Sequence, residues 1–125
     1  MMRFLIVSEE PARLNGLKTG LMKHPQIKID VVTSVDGAMK EISGVVPSLV
    51  VVDEHIAGVS GKELIEMMIK KNPMINTALV SGLTPEDFHE FTEGLGILMQ
   101  VPGDAGEDVA DDMLQKLEKL FSLYK

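Results

Sequence analysis

Short apolar runs alternate with longer amphipathic stretches along the whole chain. Residues 3–7 read as a strand, and Pro11 then suits the first turn of a helix, where a missing N–H costs nothing. Leu14, Leu17 and Leu21 give that helix one apolar stripe. Residues 27–32 alternate at Ile27, Ile29 and Val31, which predicts a second strand. Ser34 is placed to cap a short helix carrying Ala38, Met39 and Ile42, with Gly44 ending it. A third strand is predicted over residues 48–53. The Ser60 to Glu63 spacing is that of a capping box, opening a helix with Leu64, Met67 and Met68 that stops before Asn72-Pro73. A fourth strand follows over residues 76–81. Thr84-Pro85-Glu86-Asp87 combines a cap, a proline and two acids at a helix start, and Phe88, Phe91 and Leu95 form the apolar side of that helix. The fifth strand is expected over residues 97–101 and the last helix over about residues 107–123, with Val109, Met113, Leu117, Leu120 and Phe121 turned inward.

Five strands alternating with five helices predict one α/β domain over residues 1–125, with a parallel sheet covered on both faces. Strands buried on both faces read as continuous apolar runs, as Phe4-Leu5-Ile6-Val7 and Leu49-Val50-Val51-Val52 do. The expected architecture is a flavodoxin-like, doubly wound (βα)5 fold with strand order 2-1-3-4-5, which sets strands one and three side by side.

Composition narrows the class. Aromatics are 4% of the chain and there is no Trp, so aliphatic residues and nine Met fill the core. Cysteine is absent, which removes disulfides and thiolate metal sites. A net charge of −7 without a long Lys/Arg stretch is unsuited to direct nucleic-acid binding. The apolar runs fall far short of the ~20 residues of a membrane span. Glu9 and Glu10 interrupt any signal-peptide pattern, so a cytoplasmic location is expected.

The chemistry concentrates at two strand ends. Asp53 closes the third apolar run and Glu9 the first, and open α/β sheets bind ligands outside the carboxyl ends of their strands. Adjacent strands would bring the two acids together. The plainer alternatives are a solvated strand-end acid for Asp53 and a helix N-terminal charge for Glu9. His24, His55 and His89 show no ligand spacing.

These residues resemble the receiver domain of bacterial two-component response regulators over nearly the whole chain. Leu5-Ile6-Val7-Ser8-Glu9-Glu10-Pro11 is similar to the opening strand and acidic pair, and Val50-Val51-Val52-Asp53 with Gly61 to the phosphoacceptor strand and loop. Ala78-Leu79-Val80-Ser81-Gly82 resembles the fourth strand, and Gly96 and Pro102 bracket the fifth. The resemblance implies Asp53 as phosphoacceptor in a phosphorelay and Ser81 as the switch hydroxyl. Magnesium would be held by Glu9, Asp53 and the backbone carbonyl of His55. It further implies a non-enzymatic signalling module whose partner is a histidine kinase or another signalling protein, with a weak homodimer through the face of the fourth and fifth helices.

The departures are equally specific. Ser8 stands at a usual acid and Val101 at the usual lysine, while Leu98 takes the aromatic switch position. Ala57 and Ser60 replace a usual proline and a frequent acid. Mg2+ binding is therefore expected to be weak or absent. The alternative function is a phosphorylation-independent pseudo-receiver, used for protein–protein interaction. A flavoprotein reading conflicts with Ser8-Glu9-Glu10-Pro11, an acidic loop that repels phosphate.

Overall fold

The computed structural model describes residues 2–123. Its main sheet has five parallel strands, β1 (Met2–Val7), β2 (Ile27–Val32), β3 (Leu49–Val52), β6 (Thr77–Val80) and β7 (Met99–Val101), in spatial order β2-β1-β3-β6-β7. This is the expected 2-1-3-4-5 order. A small antiparallel hairpin, β4 (His55–Ile56) and β5 (Val59–Ser60), lies between β3 and the next helix. Two-residue strands are too short to leave a periodic signal in the sequence. Gly58 turns it with φ +87°, a backbone that glycine adopts without steric cost.

The pleat divides the core in two. Phe4, Ile6, Leu49, Val51, Ala78 and Val80 face one side, where α1 (Asn15–Met22) and α5 (Glu107–Ser122) pack through Leu17, Leu21, Met113 and Leu117. Leu5, Val7, Val50, Val52 and Leu79 face the other, under α2 (Val35–Ser43), α3 (Gly61–Lys71) and α4 (Pro85–Phe91). Burying a large aliphatic side chain contributes about 1.5–3 kcal/mol, so each layer is strongly stabilising on its own.

The helix starts follow their local chemistry. Ser34 accepts from the Gly37 N–H at 3.0 Å, and Thr84 from the Asp87 N–H at 3.2 Å. Ser60 and Glu63 form the reciprocal capping box. The segment from Pro11 differs: Pro11–Leu14 is a 3-10 turn, and the α-helix begins at Asn15. Leu14 is buried and pins that turn to the core.

Three other expectations shift. The fifth strand contracts to Met99–Val101, and the chain reaches it through Gly94 and Gly96, whose φ values are +86° and +62°. The fourth helix stops at Phe91, so Phe88 and Thr92 point inward, four residues apart, while Phe91 stays 45% exposed. Met67 is also exposed. The seam between α1 and α5 depends on glycine: a Cβ at Gly16 would lie 2.6 Å from the Ala105 carbonyl oxygen, and one at Gly20 would lie 2.8 Å from Glu107 Cα. Arg3 ties β1 to its neighbours by pairing with Asp30 and Glu41, each at 3.1 Å, and by bonding the Val45 carbonyl.

Candidate functional site

Strand register assembles the site. Val7 lies opposite Val52, and the Asp53 N–H donates to the Val7 carbonyl at 2.9 Å. The next residue of each strand, Ser8 and Asp53, therefore falls at the same level at the carboxyl edge. Both continue the parity of Ile6 and Val51, toward α1 and α5. Ser8 and Asp53 meet, with the Ser8 hydroxyl donating to Asp53 Oδ2 at 2.7 Å. The Glu10 N–H in turn donates to Ser8 Oγ at 3.1 Å.

Asp53 is only 1% exposed, and both its oxygens have donors. The Glu54 N–H donates to Oδ1 at 2.8 Å. Arg13 contributes a single guanidinium nitrogen, Nη1, lying 3.1 Å from Oδ1 and 3.0 Å from Oδ2. A buried carboxylate is costly unless it is paired and hydrogen-bonded, and these four contacts satisfy that need. Arg13 sits on the Pro11–Leu14 turn with its side chain 41% exposed, so it closes the pocket from the solvent side.

Glu9 does not fill the role expected of it. The alternation that aims Ser8 at Asp53 turns the following residue away, and Glu9 is exposed with no hydrogen bond to Asp53. The counter-charge beside Asp53 is Arg13, a residue that the sequence reading passed over. A signal did exist: a cation five positions beyond the serine that replaces an acid.

Magnesium asks for near-octahedral oxygen coordination, usually with one or two carboxylates. The residues here do not fit it. Both Asp53 oxygens are occupied by donors, Ser8 offers a neutral hydroxyl, and a guanidinium stands at 3.0 Å. Among the described residues, no group of three His, Cys, Asp or Glu could hold a metal ion. His55 lies in β4 opposite Ser60, with its side chain exposed.

Gly61 explains the glycine eight residues after Asp53. Its N–H donates to the Glu54 carbonyl at 2.7 Å, and a Cβ there would stand 2.2 Å from the Asp53 carbonyl oxygen. Glycine lets the hairpin fold back against the strand end. Ser81 follows β6 and is buried, and its hydroxyl accepts from the Leu83 N–H at 3.1 Å. It borders a hollow of about 350 Å³ with Glu54, Lys62, Leu79, Leu83 and Phe91. Lys62 Nζ lies over the Phe91 ring, 4.7 Å from its centre. Val101 is fully buried in the core layer with Ala105 and Met113, so it brings no charge to the strand edge. Leu98 is half-buried against the same layer. No helix among the described residues is long and apolar enough to cross a membrane.

No family model and no curated protein matches this chain. Solved structures do. A response regulator receiver domain protein from Methanospirillum hungatei is 20% identical, with a TM-score of 0.79 over 95% of each chain. The signal receiver domain of a Luxo repressor protein from Vibrio parahaemolyticus is 19% identical, with a TM-score of 0.78 over 99% of this chain and 97% of that one. A chemotaxis response regulator of Vibrio cholerae is 11% identical, with a TM-score of 0.78 over 94% and 98%. With β3 central, a parallel strand order of β2-β1-β3-β6-β7 and an aspartate buried at the end of β3, this chain has the fold of response-regulator receiver domains.

Proposed function

We propose that this chain is a receiver-type signalling module that docks another protein without needing phosphorylation of Asp53. The observation that carries this reading is the closed state of the aspartate. Attack on a phosphoryl group requires a carboxylate oxygen free to approach phosphorus, with cations ready to neutralise the incoming charge. Asp53 instead spends its oxygens on Ser8, Arg13 and the Glu54 N–H. The site also lacks the lysine that would hold a phosphoryl group, since Val101 belongs to the core. Leu83 and Phe91, 40% and 45% exposed at the rim of the hollow, supply apolar surface at the same end of the sheet.

In this reading the module is not an enzyme. It works in the cytoplasm beside a histidine kinase or another signalling protein, and a weak homodimer through the α4–α5 face is compatible with it. The second reading keeps Asp53 as phosphoacceptor, with Ser81 as the hydroxyl beside the phosphoryl group. Its support is the position of both residues at neighbouring strand ends, after β3 and β6.

Acetyl phosphate or beryllofluoride with magnesium separates the two. The expected result is no covalent adduct by intact mass and no change in amide spectra, with Asp53→Asn leaving partner binding intact. Stoichiometric labelling that disappears in Asp53→Asn would establish the second reading instead.

A further inference from the structure

We infer that Arg13 is the resident cation of the Asp53 pocket, and that with Ser8 it makes the pocket electrically complete and closed to divalent metal. The inference rests on the reading of Asp53 as a closed position, and it names what closes it.

The charges can be counted. The pocket holds one anion, Asp53, one cation, Arg13, and one neutral hydroxyl, Ser8. It is balanced as it stands. A divalent ion entering it would meet a guanidinium in contact with both carboxylate oxygens, and Asp53 is the pocket's one buried acid. Like charges at such separations repel strongly where water is excluded.

The closure is built into the fold. Ser8 Oγ accepts the Glu10 N–H, which leaves its proton for Asp53 and fixes the hydroxyl's direction. Arg13 stands on a turn held by its own N–H to the Glu10 carbonyl at 3.0 Å and by the buried Leu14 beside it. The guanidinium contact uses one nitrogen rather than a two-nitrogen fork, so the carboxylate can be uncovered without dismantling the turn. Replacing Arg13 by a neutral residue leaves an uncompensated buried anion. Replacing Ser8 by aspartate as well gives two adjacent carboxylates, the donor set that a hard divalent cation prefers.

The test is Mn2+ titration of the full chain, read by paramagnetic broadening of the backbone amide signals of Glu54 and of whichever residue stands at position 8, with Mg2+ as competitor. The wild type is expected to show no selective broadening at millimolar ion. Arg13→Ala should gain selective broadening that Mg2+ reverses, and Ser8→Asp/Arg13→Ala should bind about tenfold more tightly still, since affinity follows the number of charged ligands. Arg13→Lys keeps a cation and should remain closed, and its amide spectrum reports whether the turn is retained. Wild-type broadening equal to that of Arg13→Ala would overturn the inference. So would a folded double variant that takes up no Mn2+.

The outcome is separable from that of the proposed function. A wild type that binds Mn2+ yet forms no adduct with acetyl phosphate defeats this inference alone. A wild type labelled on Asp53 in the presence of a chelator defeats the docking-only reading and leaves Arg13 as the resident cation.

Discussion

Ser8 and Asp53, 45 positions apart in sequence, are joined by a 2.7 Å hydrogen bond across two parallel strands, and the register of Val7 with Val52 puts them there. Ser8→Ala removes a donor from a carboxylate that is only 1% exposed. A hydrogen bond to a charged group is worth about 1.5–3 kcal/mol. The expected loss in a urea titration is about 2 kcal/mol, with Arg13 and the Glu54 N–H retaining the rest of the shell. An unchanged midpoint would mean that the hydroxyl is not committed to Asp53.

Two glycines of the hairpin segment should fail for different reasons. Gly61→Ala places a methyl group 2.2 Å from the Asp53 carbonyl oxygen, which only backbone movement can relieve. Overpacking of this kind costs about 3 kcal/mol, and it should also shift the Glu54 and Asp53 amide signals. Gly58→Ala meets no atom within 4 Å but must hold φ near +87°. Its cost is about 1 kcal/mol, with the Asp53 signals undisturbed. Equal losses for the two variants would refute the distinction.

The α1–α5 seam supplies a case in which helix propensity and packing oppose each other. In an isolated helix, Gly20→Ala would gain about 1 kcal/mol. Here the new methyl lies 2.8 Å from Glu107 Cα and 2.9 Å from Ala110 Cβ. Packing should win, for a net loss of about 1–2 kcal/mol. Gly103→Ala meets nothing within 4 Å and should stay within about 0.5 kcal/mol of the wild type. Thermal unfolding of the two variants side by side decides the matter.

Features with a local cause were legible in the sequence. The runs at Phe4–Val7 and Leu49–Val52 marked the central strands, and Ser34, Ser60 and Thr84 announced helix starts through hydrogen bonds spanning three residues. Burial of Leu14, Leu17 and Leu21 followed from their spacing. Arg13 was not legible in that way. Its partner lies 40 positions away, and nothing in a 3-10 turn indicates where a long, flexible side chain will reach. Phe91 misled for a related reason: apolar spacing implied burial, but the helix ended there and Thr92 took the inward position, bonding the Phe88 carbonyl at 2.8 Å. Gly16 and Gly20 show the four-residue spacing of a close helix contact, but the spacing alone does not name the partner helix, which only the tertiary arrangement supplies.

The sheet's outer strands bear on how copies of this chain meet. β7 is three residues long and is followed by Pro102, and β2 carries Lys28 and Asp30 among its six residues. Unpaired strand margins are templates for fibril-like stacking, and brevity, charge and proline each blunt them. Self-association by strand addition is disfavoured at both margins, which leaves contacts between copies to helices and loops.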